Sequence, residues 1–166
     1  MQLEQKYLAL IQEAQQRGMT EAEVENIRLC FQTLSLAAAI DRDCAALLAP
    51  HGLSEGRFVM LFLLDATADG LAPNELAERA GVTRATVTGL LDGLERARLI
   101  ERHAAAGDRR AQRIRLTPEG SEVAKRVFEA HGRWIAGLFG TLAPEEQRQF
   151  AALLRKVARN TGGRPS

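Results

Sequence analysis

Residues 73–116 constrain this chain more than any other stretch. They spell a short amphipathic helix, a break at Gly81-Val82, and a second helix opening at Thr83-Arg84. Two strand-like runs follow, 99–103 and 113–116, joined by an arginine-bearing loop at 104–112. A helix-turn-helix followed by a β-wing is a device for gripping duplex DNA.

The second helix divides cleanly into two faces. Val87, Leu90, Leu91 and Leu94 fall at i, i+3, i+4 and i+7 and form a stripe to bury. The opposite face presents Ala85, Thr88, Gly89, Asp92 and Arg96, with Arg84 and Thr86 at its leading edge. Small and hydroxyl-bearing side chains allow close approach to base edges in the major groove. Thr83 is placed to cap the helix, whose first N–H groups also suit a phosphate. Arg84, Thr86 and Thr88 are the candidate base and backbone readers. At the wing, Asp108, Arg109 and Arg110 follow Gly107, and Arg113 lies just beyond. An arginine on a β-turn reaches the narrow minor groove, whose negative potential attracts guanidinium.

Charge is distributed to match. The whole chain carries a net charge of only +1. Between 84 and 115, however, eight arginines stand against Asp92, Glu95, Glu101 and Asp108, so this segment carries +4 and the remainder −3. A basic module on a mildly acidic body is expected where one face meets phosphates. Double-stranded DNA is therefore the expected partner.

Capping signals order the rest. A helix is expected over 1–16, closed by Arg17-Gly18. Thr20 and Glu23 have capping-box spacing and open a long helix to about Leu48. Pro50-His51-Gly52 breaks the chain, and Ser54 caps a helix ending near Gly70. After the wing, Thr117-Pro118-Glu119 starts a helix to Phe139, and Ala143-Pro144-Glu145 starts a last one. The terminal helices carry more apolar surface than a winged helix of this size covers, which predicts a homodimer. Two recognition helices would then lie about 34–36 Å apart, one turn of duplex. The expected fold is mostly α, a winged helix-turn-helix with N- and C-terminal dimerisation helices. Its parts are an extra helix (1–18), a dimerisation helix (19–52), the DNA-binding region (53–116) and C-terminal dimerisation helices (117–166).

Other classes find little support. The longest apolar run, 58–64, is too short to cross a bilayer, and 1–6 lack a secretory pattern; no membrane partner and a cytoplasmic location are expected. Cys30 and Cys44, fourteen residues apart on one helix, would lie about 21 Å apart along its axis, beyond the roughly 7 Å limit for a disulfide. His51, His103 and His131 are scattered, so no metal and no cofactor are expected. No paired carboxylates, activated nucleophile or phosphate loop suggests an enzyme.

The run from Leu76 through Thr83-Arg84-Ala85-Thr86-Val87-Thr88-Gly89 to Ile100, with Gly107-Asp108-Arg109-Arg110 and Arg113-Ile114-Arg115-Leu116-Thr117-Pro118, closely resembles the MarR family of bacterial transcription regulators. The likeness extends over roughly 27–157. It implies a homodimer on a palindromic operator, whose DNA affinity a small molecule or an oxidant alters. Asp108 and Arg110 match the family's Asp-x-Arg wing motif, and Asp92 matches the recognition-helix acid that holds the wing arginine when DNA is absent. Many members have an arginine where this chain has Gly89.

By family position, Phe31, Leu34, Arg57 and Met60 are candidates to line an effector pocket, with Arg57 pairing an aromatic carboxylate. Cys30-Phe31 resembles the Cys-Phe of the peroxide-sensing branch. Leu34 stands one turn later and Tyr7 is the sole tyrosine, so Cys30 is read first as core packing. The expected function is a repressor of a neighbouring promoter relieved by a small aromatic or phenolic effector. The alternatives are a thiol-based redox regulator using Cys30 and a winged-helix protein-interaction dimer with no specific DNA site.

Overall fold

The structure, a computed structural model, describes residues 3–105 and 108–161, with side chains given except for 3–6, 105 and 108–111. It forms two compact units, Met1–Met60 and Leu61–Ser166.

The first unit is built from α1 (Leu3–Gln16), α2 (Glu21–Leu48), a 3₁₀ turn (Ala49–His51) and the start of α3 (Glu55–Asp65). The expected capping box is formed. Thr20 N–H donates to Glu23 Oε2 at 2.8 Å, and Glu23 N–H donates to Thr20 Oγ1 at 3.3 Å. The Thr20 hydroxyl also donates to the Glu23 carboxylate, and with the backbone N–H it holds that carboxyl below its ordinary range. Where α1 lies against α2, the Tyr7 ring stacks on Phe31 with centroids 3.4 Å apart. Gly52, at φ +65°, turns the chain out of the 3₁₀ segment, and Arg57 N–H donates to the Ser54 hydroxyl as α3 begins.

The second unit contains the end of α3, then α4 (Pro73–Ala80), α5 (Arg84–Arg96), β1 (Ile100–Ala105), β2 (Asp108–Leu116), α6 (Pro118–Phe139) and α7 (Pro144–Ala158). Two sequence expectations are corrected here. The third helix stops at Asp65, not near Gly70. Thr67 N–H donates to Leu64 O and Gly70 N–H to Thr67 O, which form a turn instead. The turn delivers Leu71 to a two-bond bridge with Ile114, at 3.1 and 2.8 Å. Gly70 sits at φ +72°, and a Cβ there would lie 2.3 Å from Ile114 O, so the turn requires glycine.

The wing is also longer than expected. Residues 108–112, anticipated as loop, belong to β2, which pairs with β1 from Ile100↔Leu116 to Ala105↔Asp108 with a bulge at Ala104/Ala105. Arginine and glutamine replace the usual apolar alternation there, so the strand is silent by pattern. The core of this unit gathers Leu61, Leu64, Leu71, Leu76, Val87, Leu91, Leu94, Ile100, Ile114 and Val127, all almost fully buried. No single helix among the described residues is long and apolar enough to cross a membrane.

Candidate DNA-binding surface

The helix-turn-helix is α4, the turn at Gly81, and α5. Pro73 starts α4, Ala72 N–H donates to Glu75 Oε2 at 2.7 Å, and Gly81 at φ +66° ends it in the left-handed conformation a side chain would resist. Thr83 caps α5 as expected: Thr86 N–H donates to Thr83 Oγ1 at 3.2 Å, and the two hydroxyls lie 2.8 Å apart. Val87, Leu91 and Leu94 are fully buried and Leu90 partly so. That burial fixes the roll of α5 and turns Arg84, Ala85, Thr86, Thr88 and Gly89 to solvent. Thr88 Oγ1 donates back to Arg84 O at 3.0 Å, leaving its lone pairs outward. A Cβ on Gly89 would meet nothing within 4 Å, so the missing side chain opens the middle of the exposed face.

The arginines divide into two groups that charge alone did not separate. Arg84 is exposed on α5. Three others, all on the wing strands, are tied down. Arg102 forms ion pairs with Asp92 and with Glu95, the latter at 3.0 Å. Arg113 donates to Gly70 O at 2.8 Å and lies 3.4 Å from the Glu75 carboxylate. Arg115 donates to Asp69 O at 3.2 Å. Arg113, expected at the DNA, therefore fastens β2 to the start of α4. Asp92, expected to hold Arg110, is engaged by Arg102. The side chains of Asp108, Arg109 and Arg110 lie outside the described residues, and only their backbone, the start of β2, is placed.

The recognition helix is also joined to α6. Its C-terminal turn passes through Arg98, the single described non-glycine residue at positive φ (+61°). The Thr117 hydroxyl donates to Arg98 O at 2.8 Å while accepting from Gly120 N–H at 2.9 Å. Thr117 N–H donates to Leu99 O, and a Cβ on Gly120 would lie 1.9 Å from that same oxygen. Backbone therefore packs directly on backbone at this joint.

The four effector-pocket candidates differ in their surroundings. Phe31 lines a groove of about 400 Å³ with Tyr7, Leu8, Ile11, Arg28, Gln32 and Ser35. Leu34 is exposed, Met60 is buried, and Arg57 donates to Gly52 O at 3.3 Å. Cys30 is exposed, which corrects its expected place in the core. The Cys44 thiol is pushed up by burial, with Glu55 and Asp41 adding negative potential. Among the described residues, no three His, Cys, Asp or Glu side chains converge as a metal site would need.

A family model described as MarR family matches residues 51–111. Over 155 residues the chain is 32% identical to the HTH-type transcriptional repressor YetL of Bacillus subtilis, covering 92% of this chain and 93% of YetL. The chain belongs to the MarR family. Among solved MarR-like structures, MepR of Staphylococcus aureus in its DNA complex is similar with a TM-score of 0.68 and 26% identity, covering 80% of this chain and 97% of MepR. The PcaV transcriptional regulator of Streptomyces coelicolor, in complex with its natural ligand, is similar with a TM-score of 0.60 and 28% identity, covering 75% and 89%. The mostly helical winged helix-turn-helix expected from sequence is thus the fold of this MarR-family chain.

Proposed function

We propose that this MarR-family regulator is a homodimeric repressor that reads a palindromic duplex operator, with α5 in the major groove and the wing reaching the flanking minor groove. One observation carries the proposal. The N-terminal half of α5 stands bare, with Arg84, Thr86 and Thr88 around an unfilled Gly89, on a helix whose other face is locked into the core. Helix N–H groups, hydroxyls and a guanidinium are what a groove floor and its phosphates require. The likeness to MepR, which was solved in complex with DNA, supports DNA binding.

The partner helices are assigned to α1 and α2 on one side and to α6 and α7 on the other. Leu29, Leu34, Leu36, Leu153, Leu154 and Val157 are each about half exposed or more. A second copy is the natural cover for such faces in a MarR-family dimer. At the wing, Arg110 is the proposed minor-groove contact, with Asp108 orienting it and Arg109 beside it on the phosphates.

Relief by a small-molecule effector is proposed on the likeness to PcaV, which was solved with its natural ligand; an aromatic or phenolic compound is the class proposed for it here. Cys30 is exposed within one chain, and an oxidant acting at that thiol is the second reading. Selection from random duplexes, followed by gel-shift titration, tests the main proposal. A palindrome bound by one dimer is expected, and Arg110→Ala is expected to weaken binding by about tenfold or more while the dimer stays folded. Recovery of no preferred sequence would favour the protein-interaction alternative. Peroxide treatment with and without Cys30→Ser separates an oxidant switch from a ligand switch.

A further inference from the structure

Along α5, Asp92 continues the row of Ala85, Thr88 and Gly89, so the groove-facing surface ends in a carboxylate. A carboxylate facing phosphates repels them. Glu95 lies one turn further on and doubles the problem. Both acids are answered by one residue of the wing, Arg102, whose Nε meets Glu95 Oε2 at 3.0 Å while its other arm pairs with Asp92 Oδ1. Arg102 stands opposite Ile114 in the strand pair and two residues from Ile100, both buried. Its side chain therefore leaves the sheet on the core side, and it is only 24% exposed. Among the wing arginines with described side chains, Arg102 alone pairs with the recognition helix; Arg113 and Arg115 bind the backbone and acids of 69–75.

We infer that Arg102 is a positioning residue for operator recognition: its fork on Asp92 and Glu95 sets the angle between wing and recognition helix, and it cancels the charge that would repel DNA at the end of that helix. A planar guanidinium with a fixed fork of donors holds two carboxylates at once and resists rotation, which a point charge does not. The wing joins α5 through the short turn at 97–99, so losing the fork changes the angle at which β1 leaves that helix. The base contacts of α5 and the groove contact of the wing then no longer fit one duplex together. Specific binding is lost more than general affinity for DNA.

The inference rests on the proposed operator binding, and two variants separate its failure from that of the proposal. The probes are the duplex recovered by selection and a random duplex of equal length. Arg102→Gln is expected to lower affinity for the selected duplex by about tenfold and for the random duplex by no more than about threefold. The slope of log affinity against log salt stays unchanged, because Arg102 neutralises no phosphate. A slope shallower by about one, with both duplexes weakened equally, would mark Arg102 as a phosphate contact and overturn the inference.

If Arg102→Gln does not fold as a dimer, the paired variant Asp92→Asn with Glu95→Gln decides, since it leaves the shapes intact. Removing two negative charges beside DNA by itself strengthens binding to both duplexes. The clamp predicts that the random duplex gains while the selected one loses, so the ratio collapses; a parallel gain for both overturns it. Wild-type protein that does not distinguish the two duplexes overturns the proposed function and this inference together. Wild-type discrimination that persists undiminished in both variants overturns the clamp alone.

Discussion

Helix α5 and helix α2 use their apolar residues in opposite ways. In thirteen residues α5 buries Val87, Leu91, Gly93 and Leu94. In twenty-eight, α2 buries Val24 and Leu48. Helix α7 buries none, although it offers Leu153, Leu154 and Val157. The winged unit completes its core within one chain, so its polar face is presented at a fixed roll. The long helices instead keep apolar faces uncovered, as helices do when their partner is another molecule. On the proposed function, rigidity belongs to the DNA-reading part and association to the flanking part.

Substitutions on the two sides should behave accordingly. The largest effect is expected from Leu91→Ala, which empties a fully buried site in the winged core. It should cost about 3 kcal/mol in denaturant unfolding. Leu153→Ala, at a side chain 61% exposed, should barely change the fold of one chain but raise the dimer dissociation constant by about tenfold, as truncation of an interface anchor does. Equal loss of stability from both, with no change in association, would erase the contrast between the two regions.

Two glycines sharpen it within the second unit. Gly120→Ala forces a methyl group against Leu99 O at the joint between α6 and the end of α5, and should destabilise by about 2 kcal/mol. Gly89→Ala adds a methyl group in open space on the exposed face of α5 and should stabilise by about 0.5–1 kcal/mol. Thermal melts of the pair check both signs.

The smallest effect concerns the start of α2. Thr20 holds the Glu23 carboxyl below its ordinary range in the folded chain, so the cap stabilises above the unfolded carboxylate pKa and is lost as pH falls through the lowered value. Wild type should exceed Glu23→Gln slightly in helix content at neutral pH, and the gap should close on acidification. A gap that widens in acid would reverse the assigned sign.

How much of this was legible in the sequence depended on whether a feature was local. Thr20 with Glu23, Thr83, and Thr117 with Pro118 announce their helices because a cap bonds within three residues. The roll of α5 was equally readable from Val87, Leu91 and Leu94. The bridge between Leu71 and Ile114 was not, because it joins residues far apart through backbone groups that every residue type carries. The early start of β2 was hidden by the arginines that replace its apolar alternation. Charge alone likewise places the arginines of 84–115 in one phosphate-facing group. Their separation into tied and exposed members depends on partners such as Asp92 and Gly70 O, which sequence order does not pair. Cys30 looked like core because its neighbours are apolar, yet α2 exposes that face.

The central claim is that a second copy of this chain covers the apolar faces of the long helices and so sets two finished winged units on one duplex. Sedimentation equilibrium of the full-length protein at low micromolar concentration tests it most directly. The account predicts a single species of twice the chain mass, which Leu153→Ala shifts towards the chain mass. A wild-type species that stays at the mass of one chain across the concentration range would contradict it.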